Sequence, residues 1–139
     1  MSKFLIGIDP GKDTGFAVYD TDEKAFVLCK KYSFWEAIEK LAYYKTFGFL
    51  AYVELPKTKH VWHSGAKNQN AKNRTAVNVG SVIREAELIV EWLEREEVEH
   101  KTVAPKGKVN DAVFRKLTGW PGRTSQHARD AGMLLVGVI

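Results

Sequence analysis

Apolar and polar positions along the chain fall into two periods, one of about 2 and one of about 3.6, and their succession predicts the elements. Phe4-Leu5-Ile6-Gly7-Ile8-Asp9 is an apolar run that predicts a buried strand ending in an acid. Pro10-Gly11 breaks it, and residues 15–19 predict a second strand. A polar turn over 20–24 leads to a third strand over 25–29, so the beginning has the form of an antiparallel meander. Ser33-Phe34-Trp35-Glu36 has capping-box spacing and opens a first helix, which Ile38, Leu41, Ala42 and Lys45 continue and Gly48 follows. Residues 49–54 predict a fourth strand, again ending in an acid, Glu54, and stopped by Pro56.

Residues 57–73 are polar and basic and predict a loop, which at that length inside a compact domain is usually functional or disordered. Val79, Val82, Ile83, Ala86, Ile89, Val90 and Leu93 mark the apolar face of a long helix, with Glu91 and Arg95 as an i,i+4 pair. Residues 101–104 predict a short fifth strand closed by Pro105. Asn110 and Gly119 bracket a short helix over 111–118, and a last helix runs from about Ser125. The order βββαβαβαα predicts an α/β fold, a mixed five-stranded sheet of a three-strand antiparallel meander plus parallel strands, flanked by helices.

The 139 residues suffice for one domain over 1–139 and are too few for two ordinary ones. No apolar run approaches the roughly 18 residues that a membrane span needs. No signal-peptide pattern follows Met1, and the lone Cys29 excludes an internal disulfide framework, so the expectation is a cytoplasmic protein. The net charge of +4 is unevenly spread. Between positions 57 and 74 stand Lys57, Lys59, Lys67, Lys72 and Arg74 with no acid, and between 101 and 129 only Asp111 opposes seven Lys and Arg residues. Such stretches suit a polyanion such as nucleic acid, and equally an ordinary solvated surface.

Three features could carry chemistry. Asp9 ends a strand before Pro10-Gly11, where a glycine would let a phosphate or a metal ion come close, or where the acid merely caps a turn. Glu54 ends another strand and would lie beside Asp9 if the two strands are neighbours; two such carboxylates repel unless a cation lies between them. His127 and Asp130 are i,i+3 on the last helix and share one face. Together they make an oxygen-rich set with one nitrogen, which suits Mg²⁺ or Mn²⁺ better than zinc. His60-Val61-Trp62-His63 lacks the further ligands of a tetrahedral zinc site.

Ile6-Gly7-Ile8-Asp9-Pro10-Gly11, with Thr14-Gly15-Phe16-Ala17-Val18 after it, resembles the first motif of the RuvC family of Holliday junction resolvases. Val53-Glu54 resembles the second, and His127-Ala128-Arg129-Asp130-Ala131 the C-terminal motif, in its form with a His followed by an acid. The resemblance implies an RNase H-like fold and a compact or phage-type member of the family. It implies Asp9, Glu54, His127 and Asp130 as metal-site residues, Lys108 as a basic residue near the scissile phosphate, and a homodimer that cuts two strands of a four-way DNA junction. The family often has an aromatic wedge shortly after the second acid; here Leu55, Pro56 and Lys57 follow Glu54, and Trp62 is the nearest aromatic.

The expected chemistry is two-metal phosphodiester hydrolysis, with two Mg²⁺ ions per site and Mn²⁺ as a substitute. Lys57, Lys59, Lys67, Lys72 and Arg74 are the expected phosphate contacts, and Trp62 a candidate for stacking on an unpaired base. Rival readings are an RNase H-like nuclease acting on RNA or on other branched or flap DNA, and a non-catalytic nucleic-acid-binding module of the same fold. The opening motif also resembles the sugar kinase and actin superfamily, whose second phosphate motif and much longer chain are not present.

Overall fold

The computed structural model describes residues 2–55 and 69–139, with the side chains of 69–81 excepted. Its elements are β1 (Phe4–Asp9), β2 (Asp13–Asp20), β3 (Ala25–Ser33), α1 (Phe34–Lys45), β4 (Phe49–Glu54), α2 (Gln69–Arg95), β5 (His100–Val103), α3 (Asp111–Thr118) and α4 (Gln126–Val136). The strands form one five-stranded sheet in the order β3-β2-β1-β4-β5. β1 pairs antiparallel with β2, and β2 with β3, whereas β1–β4 and β4–β5 are parallel. The expected mixed sheet, meander first and parallel strands after, is therefore present.

Period-2 alternation divides the core between the two faces of the sheet. Phe4, Ile6, Ile8, Phe16, Val18, Phe49, Ala51 and Val53 pack with Ala37 and Leu41 of α1 and Ile89 and Leu93 of α2. Ala17, Cys29 and Tyr52 pack on the other face with Phe114 of α3 and Ala128, Ala131, Leu134 and Leu135 of α4. Each Ile or Leu buried in this way contributes about 1.5–3 kcal/mol relative to exposure.

Local chemistry sets the helix starts. Ser33 closes the capping box with Glu36, accepting from the Glu36 N–H at 3.3 Å while its own N–H donates to Glu36 Oε1 at 3.0 Å. Asn110 Oδ1 accepts from the Val113 N–H at 2.9 Å, and Gly119, at φ 74°, takes the left-handed position that ends α3. Ser125 caps α4 through the Ala128 N–H at 3.1 Å.

Three expectations change. β3 runs on to Ser33 because Tyr32 returns to the core while Lys30 and Lys31 stay exposed at the sheet edge, a pattern that read as the end of the strand. Of the basic loop expected over 57–73, residues 69–73 are helical, since α2 begins at Gln69. Lys72 and Arg74 therefore belong to this helix and not to a loop. The first turns of α2 show no apolar stripe, but Gln, Ala, Lys and Arg are good helix formers, and a helix nucleated where it packs propagates cheaply. Along the same helix Arg84 pairs with Glu87 at 3.3 Å, and among the described residues the expected Glu91–Arg95 pair is not formed. Lys57, Lys59, His60, Trp62, His63 and Lys67 lie outside the described residues. Among the described residues no helix is long and apolar enough to cross a membrane.

Candidate functional site

Alternation along two adjacent strands brings the first two acids together. Ile6 and Ile8 face α1 and α2, so Gly7 and Asp9 turn to the α4 side; Ala51 and Val53 do the same for Tyr52 and Glu54. Ile8 stands opposite Val53 in the parallel register, so Asp9 and Glu54, one residue on, end neighbouring strands on one face. Their carboxyl groups share a hydrogen bond, which requires one of them to carry a proton.

The electrostatics follow from that placement. Burial is the largest influence on both groups and pushes the Asp9 carboxyl up to about 6 and the Glu54 carboxyl up to about 8. The hydrogen bond with Glu54 pulls Asp9 down, while the bond to Asp9 and its charge push Glu54 further up. Asp130 raises both acids and Lys108 lowers both, so all four groups lie within one another's electrostatic reach. Both acids are thus raised, Glu54 the more strongly.

α4 supplies the opposing wall because two glycines let it lie directly on the sheet. A Cβ on Gly15 would clash with the carbonyl oxygen of His127, and one on Gly7 with that of Ala131, one helical turn on. This close approach brings His127 Nδ1 within 3.5 Å of Asp9 Oδ2. Asp130, one turn further along the same face, lies with Oδ2 3.8 Å from Lys108 Nζ, which the segment between β5 and α3 carries in. The Asp9 and Asp130 side chains are 16% and 17% exposed, against 48% for His127 and 73% for Lys108, so the acids form the floor and the bases the rim.

Asp9, Glu54, His127, Asp130 and Lys108 are thus gathered at one end of the sheet. Gly11, expected to leave room for a ligand, is instead enclosed by its own turn: its carbonyl accepts from the buried Thr14 hydroxyl at 2.8 Å, and a Cβ there would stand 3.1 Å from the Asp13 oxygen. The glycines that matter for close approach are Gly7 and Gly15. Sequence reasoning also passed over Gln126, whose Nε2 donates to Asp130 Oδ1 at 2.7 Å. The signal was its i,i+4 spacing to Asp130, a spacing at which Gln and Asp meet on a helix.

The donor set is chemically suited to a hard divalent cation. Asp9 and Glu54 offer carboxylate oxygens whose mutual repulsion a cation would relieve. Among the described residues no three His, Cys, Asp or Glu side chains form a ready-made cage. Mg²⁺ does not need one, since it is commonly held by one or two carboxylates together with waters and substrate phosphates.

No protein-family model matches the chain, and no curated protein matches it. Among solved structures, T. thermophilus RuvC in complex with Holliday junction substrate matches 96% of this chain and 92% of its own, with a TM-score of 0.55 and 13% identity. The fold is RNase H-like. In this RNase H-like frame the carboxylate pair ends the central strand β1 and its parallel neighbour β4, and α4 closes the site from one face.

Proposed function

We propose that the chain is a metal-dependent endonuclease that cleaves phosphodiester bonds of branched DNA, four-way junctions foremost. The observation that carries this reading is the Asp9–Glu54 carboxyl pair at adjacent strand ends, with Asp130, His127 and Lys108 around it. The likeness of the fold to a RuvC structure that holds a Holliday junction supports the choice of nucleic acid.

Asp9, Glu54 and Asp130 would hold Mg²⁺, two ions per site, with Mn²⁺ as a substitute and His127 as a further ligand. When bound, such ions lower the pKa of a water and stabilise charge on the phosphate and the leaving oxygen. A bound cation would favour the charged form of both carboxylates, Glu54 included. His127, beside Asp9 and half exposed, is placed to orient a water or to carry a proton away. Lys108, on the rim and able to leave Asp130, offsets charge on the phosphate. Lys57, Lys59, Lys67, Lys72 and Arg74 would hold flanking phosphates, with Trp62 stacking on an unpaired base. The proposed acting unit is a homodimer, with one site for each of two strands.

A substrate panel tests the reading. A synthetic four-way junction, a linear duplex and an RNA–DNA hybrid are incubated with protein and Mg²⁺ or Mn²⁺. Incision concentrated on the junction supports it. Preferred cutting of the hybrid moves the substrate to RNA, and binding without cutting leaves a nucleic-acid-binding module.

A further inference from the structure

Arg129 lies in a basic segment, yet its side chain is only 13% exposed, so it is not a free phosphate contact. Its guanidinium is spent inside the protein. Nε donates to the Val109 carbonyl at 2.9 Å, and one terminal nitrogen donates to Asp111 Oδ1 at 3.2 Å and to the Thr124 carbonyl. The other terminal nitrogen donates to Gln126 Oε1 at 3.0 Å. Asp111 is itself held by the Thr124 hydroxyl at 2.6 Å and the Thr124 N–H at 3.0 Å.

This last bond of Arg129 decides how the Gln126 amide is turned. With Oε1 facing a cation, the NH₂ end must face the other way, and there it donates to Asp130 Oδ1 at 2.7 Å. A flipped amide would set N–H against guanidinium and oxygen against carboxylate, two repulsive contacts in place of two attractive ones. Asp130 is thereby held by one oxygen, and Oδ2 is left for Lys108. The same guanidinium holds Val109 and Asp111, which closely follow Lys108 in the chain.

We propose that Arg129 is a positioning residue for the carboxylate site, fixing Asp130 through the Gln126 amide and fixing the Lys108 segment against the same acid. Its kinetic consequence rests on the nuclease reading, while its geometric content does not. Lysine cannot replace it, because three rotating donors on a point charge do not reproduce a planar fork that serves three directions at once.

The test combines kinetics with a signal that needs no activity. In single-turnover cleavage of branched DNA with Mg²⁺, Arg129→Lys lowers the rate about 10–100-fold, the usual cost of losing a partner that orients a ligand, while DNA affinity changes little. Gln126→Ala gives a comparable loss, and the double variant is no slower than the slower single one. Phe114→Leu loosens the same α3–α4 contact without touching the polar network, and keeps its rate at a matched loss of melting temperature. By NMR the Gln126 side-chain NH₂ is protected from exchange in the wild type and exposed in Arg129→Lys. Multiplying losses in the double variant, an equal rate loss in Phe114→Leu, or a protected amide in Arg129→Lys each overturn the proposal. A wild type that cuts nothing defeats the nuclease reading instead, and the amide signal then decides the positioning role alone.

Discussion

The carbonyl oxygen of His127 stands so close to Gly15 that a Cβ there would clash with it. This one relationship sets how close α4 comes to the sheet. It also sets how far His127 and Asp130 stand from Asp9, which pairs with Gly15 across β1 and β2.

Gly15→Ala should therefore act on the site as much as on the fold. The obstacle is helix backbone, not the end of a flexible side chain, so α4 has to move as a body. Overpacking of this kind costs about 1–3 kcal/mol. The expected outcome in denaturant unfolding is a loss in that range, accompanied by a drop in metal-dependent cleavage at temperatures where the variant is folded. Unchanged stability and activity would mean that the close approach is not maintained in solution.

The raised acids predict an inverted pH dependence for the metal-free protein. Asp9 and Glu54 titrate near 6 and near 8 when folded, against ordinary values of 3.8 and 4.5. The folded state binds more protons than the unfolded state between those limits, so the stabilisation they give is complete below about pH 4 and is lost as pH rises through 6 and 8. Melting temperature without metal should fall as pH rises from about 5 to about 8.5. Mg²⁺ should flatten the slope, and Glu54→Gln should reduce it without metal. A metal-free melting temperature that rises over this range would contradict the raised carboxyl pair.

Cys29 offers a check on the same face of the sheet, further out along the meander. Burial pushes its thiol up to about 12, and Sγ lies 3.2 Å from the Ala128 carbonyl, under α4. An alkylating reagent at pH 8 should leave the native protein unlabelled and label it fully in denaturant, because only the thiolate reacts. Rapid native labelling would show that α4 lifts from β3.

The legible parts of this fold are those where one local rule decides. Apolar runs ending in acids gave β1 and β4, and the capping residues Ser33, Asn110 and Ser125 gave three helix starts. The start of α2 was hidden because Gln69 to Arg74 have helix-forming chemistry without an apolar face. The continuation of β3 was hidden because Lys30 and Lys31 serve an exposed edge. Asp9, Glu54, His127 and Asp130 could be named from strand ends and helix spacing, but their distances could not. Those depend on where α4 crosses the sheet, and Gly7 and Gly15 set that crossing without any local signal of their own. Gln126 and Arg129 look like solvated helix residues until the Val109–Asp111 segment folds back onto them.

The most direct measurement is the rate at which wild-type protein and Asp9→Asn cut a synthetic four-way DNA junction in the presence of Mg²⁺. The account predicts metal-dependent cutting by the wild type, abolished by chelator, and no detectable cutting by a folded Asp9→Asn. Cutting by Asp9→Asn at the wild-type rate, or a wild type that cuts no nucleic acid with either Mg²⁺ or Mn²⁺, would contradict it.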